Sequence, residues 1–340
     1  MIIASEQELE ELLSRPSEAD IEFMKKLEGD VILLGAGGKM GPTLARRVAR
    51  AAQDAGSKTR VMAVSRYSGG GVRERLESWG VDAISADLLN RAELERLPDA
   101  ANVIYLAARK FGSTGQEYLT WGMNAWLPTL VAERYRQSRI VSLSSGNIYP
   151  LVPVSSGGAT EDTPLVPVGE YGQSVMARER LFHFFSVQNQ TPVAMIRLNY
   201  AVELRYGVLL DIGTAVFERR PVDLTMGAVN VIWQGDANSV VLRSLDICSC
   251  PPTALNLTGP ETLSVRYVAE SFGRLFGVDP VFQGQEAATA LLNNASRCQR
   301  LFGYPSVTPG EVMEWIAQWI GMGGQTYGKP TGFMVRDGRF

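Results

Sequence analysis

A wholly apolar run that breaks at a glycine-rich turn and resumes as a helix constrains this chain more than any other feature. Residues 30–35 read Asp-Val-Ile-Leu-Leu-Gly, without the polar alternation of a half-exposed strand, so the pattern predicts a strand buried on both faces. Gly35, Gly37, Gly38 and Gly41 follow, with Lys39 and Met40 ahead of the last, and a helix is predicted from 41 to 55. Pro42 falls in its first turn, where a missing N–H does no harm. Between a strand and a helix, the spacing 35, 38, 41 suits a dinucleotide. One glycine makes the tight turn, one lets the main chain approach the pyrophosphate, and one lets helix pack on strand. The helix N-terminus then offers N–H groups and a positive dipole to the phosphates.

The alternation continues along the chain. Strand-like runs at 60–65, 82–85, 102–108, 138–144 and 193–198 are separated by helical patterns at 71–79, 91–97, 118–136 and 171–186. Six strands spaced by helices predict an α/β fold built on a doubly wound parallel sheet. Ahead of it, Ser5 with Glu8 and Ser17 with Asp20 have N-cap and N3 spacing, so residues 1–29 are expected to form a helical appendage that stops at Gly29. After Asn199 the rhythm changes. Residues 200–228 and 259–330 read as helices and loops, one helix being capped by Thr308 with Glu311 and carrying Val312, Trp315, Ile316 and Trp319 on one face. The expected organisation is a dinucleotide-binding domain over 30–199 plus 229–258, a smaller C-terminal substrate lobe over 200–228 plus 259–330, and a tail at 331–340.

Composition narrows the function. Lysine plus arginine number 33 against 36 acidic residues, a net charge of −3, which gives no electrostatic footprint for nucleic acid or an anionic membrane. No apolar run is long enough to span a bilayer. Three cysteines make no disulfide framework, and the opening MIIASEQELEELL lacks a basic region and a long apolar stretch, so a cytoplasmic protein is expected. The single histidine, His183, next to Phe182 and Phe184, reads as a core or boundary residue and leaves no partner for a histidine relay or a multi-histidine metal site. Cys248 and Cys250 form a lone C-x-C, and Cys298 reads as a small apolar residue, so no metal is expected.

The end of the second strand chooses between coenzymes. An NAD site usually has an acid there for the ribose 2′-hydroxyl. Here Val64-Ser65-Arg66 offers a hydroxyl beside a guanidinium, which favours the 2′-phosphate of NADP over NAD, with Lys39 as a possible second cation. Asp87, after the third strand, is placed to accept from the adenine amino group. Arg197 and Asn199 end a parallel strand, where ligands of such sheets gather, and Tyr149 and Tyr206 are candidates to flank the same cleft.

Taken in order, these motifs make the chain similar to an extended short-chain dehydrogenase/reductase of the NAD-dependent epimerase/dehydratase type. The resemblance covers about residues 30–320 and implies a Rossmann fold. It rests on the glycine loop, Asp87-Leu88, Leu106-Ala107-Ala108, Asn124, Ser144-Ser145-Gly-Asn-Ile-Tyr149, Tyr171-Gly-Gln-Ser174, Arg197-Leu-Asn199 and Gly259-Pro-Glu-Thr-Leu-Ser264. It implies that Asn124, Ser145 and Tyr171 are catalytic and that a sugar, nucleotide sugar or sugar acid is the substrate. It also implies a homodimer formed through the helices at 118–136 and 171–186; Phe182, Phe184 and Phe185 suit such a contact or burial in the monomer.

One departure is serious. The family carries a lysine four positions after the tyrosine, and this chain has Val175. That lysine holds the nicotinamide ribose and acidifies the tyrosine; a phenol's ordinary pKa is about 10. A cation at ~4 Å is worth about 4 kcal/mol at an effective dielectric of 20, or roughly three pKa units. Without a substitute, the phenol can donate a proton but is a poor base. Arg178, on the same helix face, or Lys110, after the fourth strand, could supply the charge, although long charged side chains are more often simply solvated. Two functions therefore remain: an NAD(P)-dependent oxidoreductase or epimerase, and a non-catalytic dinucleotide sensor or scaffold.

Overall fold

The computed structural model describes residues 2–112 and 114–339. Its centre is a parallel sheet of seven strands, β1 (Val31–Leu34), β2 (Val61–Ser65), β3 (Asp82–Ser85), β4 (Asn102–Tyr105), β5 (Arg139–Ser145), β6 (Val193–Leu198) and β7 (Thr253–Leu257). Their order is β7-β6-β5-β4-β1-β2-β3, every pair parallel. The sheet is thus Rossmann-like and doubly wound, with one strand more than the six read from the sequence. β7 comes from the late segment that returns to the sheet.

Side chains of β1 alternate between two apolar layers, as the period of a strand requires. Val31 and Leu33 join Leu44 and Val48 of the helix Gly41–Asp54, while Ile32 and Leu34 join Leu127, Val131 and Phe182 on the opposite face. All four β1 side chains are fully buried, which is why the run contains no polar residue. A third core gathers Val208, Ile212, Phe272, Val312, Trp315 and Trp319 in the C-terminal part of the chain. The Trp315/Trp319 stripe is therefore packing.

The N-terminal helices Glu6–Leu13 and Glu18–Lys26 are capped by Ser5 and Ser17. They dock on the helix Gly41–Asp54: Arg47 Nε donates to the buried Asp20 carboxylate at 2.8 Å, and Arg50 bonds Glu11 at 2.8 Å. The final stretch is anchored to the body of the chain. Phe333 is buried, and Arg336 donates to Thr289 main-chain and side-chain oxygens at 2.7 Å. Gly338 lies so close to Gly169 that a Cβ on either would fall 2.4 Å from a carbonyl oxygen across the contact. Among the described residues no helix is long and apolar enough to cross a membrane.

Candidate active site

The strand order reverses around β1, so the carboxyl ends of β1 and β4 open a crevice, the usual ligand position in such sheets. The glycine loop lies there, and its glycines do different things. Gly35 turns with φ +90°, and a Cβ would collide with the Ala107 main chain at 2.6 Å. At Gly41 a Cβ would meet the Ala36 carbonyl at 2.2 Å, and at Gly37 the Ser65 hydroxyl at 2.4 Å. Gly38 differs: its face is exposed, and a Cβ would touch only the Gly35 carbonyl at an ordinary 3.5 Å. The helix that follows, opened by Met40 and Gly41, has no side-chain cap and no acid in its first turn. An open glycine face beside an uncapped helix N-terminus fits a dinucleotide pyrophosphate.

Around this cradle, Ser65 is half-buried and Arg66 exposed at the end of β2. Asp87 accepts the Leu89 N–H at 3.0 Å, with Leu88 buried beside it. Leu106 N–H donates to Leu34 at 2.8 Å, so Leu106, Ala107 and Ala108 wall the crevice where β4 ends. Lys39 does not join Ser65 and Arg66. Its ammonium donates to the Ala201 carbonyl at 2.7 Å and lies 4.2 Å from the centre of the Tyr206 ring, so the second cation expected near the ribose is spent elsewhere.

The helix expected at 118–136 is interrupted. A π-turn, Gly122–Trp126, joins Glu117–Trp121 to Leu127–Arg134. Pro128 explains it, having no N–H for the carbonyl four residues earlier, that of Asn124. The freed carbonyl receives Arg178 Nε at 3.4 Å. The Asn124 side chain is fully buried; its Oδ1 accepts from Arg109 N–H at 2.8 Å and Arg178 Nη2 at 2.9 Å, and its Nδ2 donates to Arg109 O at 2.9 Å and Ser174 Oγ at 3.0 Å. Arg178 Nη1 donates to the Leu143 carbonyl at 2.7 Å. Arg178 is therefore neither solvated nor aimed at the phenol; it is buried and holds Asn124.

Tyr171 opens the long helix Gly169–Asn189, whose start packs on the turn that begins at Ser145: a Cβ on Gly172 would meet the Asn147 carbonyl at 2.6 Å. Ser145 is the last residue of β5; its hydroxyl accepts the Asn147 N–H and donates to Asn147 Oδ1, both at 3.2 Å. Lys110 Nζ lies 5.8 Å from the centre of the Tyr171 ring and donates to the Thr331 carbonyl at 3.3 Å. Burial, partly offset by Asp211, brings the Lys110 amine down to about 8; burial does the same for Lys39, where Glu203 and Asp211 act against it and Arg205 with it. Asp211 accepts from Thr331 N–H at 2.8 Å and Thr331 Oγ1 at 2.6 Å, yet burial holds its carboxyl above the ordinary range. Sequence reasoning missed Asp211 and Thr331. The readable signal was an acid inside the apolar helix Val208–Phe217.

The profile of the NAD dependent epimerase/dehydratase family matches residues 31–202, just over half of the chain. The chain belongs to that family. No curated protein sequence matches it. Among solved structures it is similar to MoeE5 in complex with UDP-glucose and NAD, with 19% identity, a TM-score of 0.69, and 86% of this chain and 99% of that one covered. It is similar to UDP-glucose 4-epimerase of Thermotoga maritima with UDP-glucose, at 14% identity and TM-score 0.71, covering 86% and 98%. It is also similar to UDP-glucuronic acid 4-epimerase of Bacillus cereus in complex with NAD, at 16% identity and TM-score 0.70, covering 86% and 96%. At these identities the likeness is one of fold.

Within this epimerase/dehydratase chain, three expected cleft residues are buried in the interior. Arg197 pairs with the Glu179 carboxylate at 2.8 Å and donates to the Tyr149 hydroxyl at 2.6 Å; that hydroxyl donates to Asn256 at 2.9 Å. Burial pushes the Tyr149 phenol up to about 12 despite Arg197. This buried network ties the turn after β5 to β6, β7 and the helix Gly169–Asn189. Asn199 is buried against Gly146, its Nδ2 3.4 Å from the Leu291 carbonyl. His183 is exposed, correcting the expected core or boundary position. All three cysteines are free, and among the described residues no cluster of ligands could hold a metal.

Proposed function

We propose that the chain is an NAD(P)-dependent oxidoreductase or epimerase/dehydratase acting on a hydroxylated carbonyl compound such as a sugar, nucleotide sugar or sugar acid, with Tyr171 as proton donor. One arrangement carries the reading. The Tyr171 helix starts on the Ser145 turn and is bonded to Asn124 through Ser174, at the end of the sheet where the glycine loop lies. The main chain from Gly35 to Gly41, including Gly37, Gly38, Lys39 and Met40, would hold the pyrophosphate. Ser65 and Arg66 would meet the adenosine ribose, Asp87 and Leu88 the adenine, and Leu106, Ala107 and Ala108 the dinucleotide's flank. A hydroxyl and a guanidinium without a carboxylate favour NADP; NAD, present in the MoeE5 and Bacillus cereus structures, is the alternative.

A bound nicotinamide would supply hydride exchange at the substrate carbon. Tyr171 Oη passes a proton to the substrate oxygen as the carbonyl is reduced and recovers it in the reverse direction. Ser145 Oγ donates to that same oxygen, and Asn124 fixes the main chain at Arg109. The chain acts as a cytoplasmic enzyme, and its exposed Tyr118, Trp126, Phe184 and Val187, on the helices expected to dimerise, support a homodimer.

Calorimetry with NAD and NADP in both redox states, followed by nicotinamide absorbance against sugars, sugar acids and UDP-sugars, tests the reading. Turnover that falls at least ~100-fold in Tyr171→Phe with coenzyme affinity retained is expected. Tight binding without turnover would instead favour the sensor, the reading that Val175 in place of lysine supports.

A further inference from the structure

A phenol that is to exchange a proton near neutral pH needs a positive charge within a few ångströms. The helix that carries Tyr171 supplies none at the next turn, because Val175 is fully buried in the apolar core. Arg178, a turn further on, is committed to Asn124 and the Leu143 carbonyl. A charge comes instead from the loop after β4, where Lys110 Nζ stands 5.8 Å from the Tyr171 ring centre.

We propose that Lys110, held by the C-terminal segment, is the positioning residue that supplies positive charge to the Tyr171 phenol in place of the absent lysine. The inference rests on the proton-donor role given to Tyr171 above. Thr331 makes the arrangement specific. Its carbonyl accepts from Lys110, while its N–H and hydroxyl both donate to the Asp211 carboxylate, so one residue of the last segment joins a half-buried acid to a half-buried base. Among the described residues, the groups facing Lys110 include the rings of Phe111 and Tyr171 and the carboxylate of Asp211. Lys39 and Tyr206 share Asp211 with it, and Glu203 and Arg205 lie beyond, acting on Lys39. With its amine brought down to about 8, Lys110 stays mostly charged at pH 7 and loses that charge just above it. The final segment is thereby part of the site, although it lies outside the residues matched by the family profile.

The test uses the whole chain without dinucleotide. Near-ultraviolet tyrosinate absorbance is followed against pH, and subtracting the Tyr171→Phe trace isolates one phenol. In Lys110→Arg, whose guanidinium keeps its charge throughout the alkaline range, that increment is expected at lower pH than in Lys110→Met by about one to two units, the effect of a unit charge at roughly 6 Å. The unmodified protein, whose Lys110 discharges near pH 8, is expected to lie between the two, and circular dichroism checks that both variants are folded. An increment at the same pH in Lys110→Arg and Lys110→Met, or one unseen in Lys110→Arg before alkaline unfolding, overturns the proposal. Absence of coenzyme binding or turnover would instead overturn the enzymatic reading and leave the absorbance result standing, since that measurement needs neither.

Discussion

Arg178 holds Asn124 at both ends: Nη2 bonds the side-chain oxygen at 2.9 Å and Nε reaches the main-chain oxygen at 3.4 Å. The second contact exists because Pro128 cannot bond that carbonyl. In Arg178→Met, the Asn124 and Leu143 carbonyls would be buried without their donor, each loss costing about 1–3 kcal/mol. Urea unfolding is expected to show a stability loss of about 3 kcal/mol, with little recovery in Arg178→Lys, which lacks the planar fork. A loss under ~1 kcal/mol would mean that the π-turn stands without the guanidinium.

The glycine loop separates folding from binding. A Cβ on Gly41 would sit 2.2 Å from the Ala36 carbonyl, so Gly41→Ala must displace main chain and should cost a few kcal/mol, roughly the range of strained or overpacked sites. Gly38→Ala meets only a 3.5 Å contact, and its melting temperature should match that of the unmodified protein. Its added methyl would occupy the face assigned to pyrophosphate, so coenzyme affinity should fall at least ~10-fold. Unchanged affinity in a well-folded Gly38→Ala would move the phosphates off this loop.

What was legible in the chain follows from where the signals were local. The glycine spacing, the apolar strands and the caps at Ser5, Ser17 and Thr308 are each encoded within a few residues, and each appears where the sequence put it. β7 was legible only as part of the late segment assigned back to the dinucleotide domain, because the short strand Leu263–Ser264 separates Thr253–Leu257 from the next helix, Val265–Phe276, and hides any compact βα unit. The π-turn was hidden because a helical pattern at 118–136 looks continuous; only Pro128, which has no N–H to give, marked it. Arg197 and Tyr149 were misread for another reason. A strand-end position points to a cleft, but burial of Glu179 on a separate helix captured the guanidinium, and such long-range pairing leaves no trace in spacing. The roles of Lys110 and Thr331 depend on residues 221 positions apart.

Phe184 is 59% exposed and Trp126 52%, on the two helices expected to pair across a two-fold axis. Burial of several such side chains is worth about 1.5–3 kcal/mol each, whereas Phe184→Glu should change monomer stability by no more than about 0.5 kcal/mol. Light scattering after gel filtration should show a dimer for the unmodified chain and a monomer for Phe184→Glu. A monomer in both cases would leave these rings simply exposed.

Asp20 gives the N-terminal appendage a pH dependence. Burial pushes its carboxyl up, but the Arg47 charge and bonds from Ser239 and the Ser17 N–H outweigh this and hold it below the ordinary 3.8. Its contribution is complete above that unfolded value and disappears as pH falls through the lower folded one. Asp20→Asn would leave Arg47 buried without its partner, a loss of about 3–5 kcal/mol by urea unfolding at pH 7. Below pH 4 the gap between the two proteins should narrow. A constant gap down to pH 2 would show that the carboxylate's charge is not what matters.

Lys39 runs the other way and tests whether the site is built at the expense of stability. Its amine is brought down from 10.5 to about 8 by burial, only partly answered by Glu203 and Asp211. Below pH 8 folded and unfolded chains both carry the proton, and the folded chain bears the full cost of a desolvated ammonium. Between pH 8 and 10.5 the folded chain releases it first, so this lysine's penalty shrinks as pH rises. Lys39→Met removes the ammonium while keeping a chain of similar length against the Tyr206 ring, at the loss of one hydrogen bond to Ala201. The variant should therefore be more stable than the unmodified protein at pH 7, by about 1–3 kcal/mol, with the advantage fading by pH 9 to 10. Comparing the two at each pH cancels the opposite trend from buried cysteines and tyrosines, whose raised values weaken both proteins alike at alkaline pH. A variant no more stable at pH 7, or one whose advantage ignores pH, would mean that the Lys39 ammonium is well solvated where it stands.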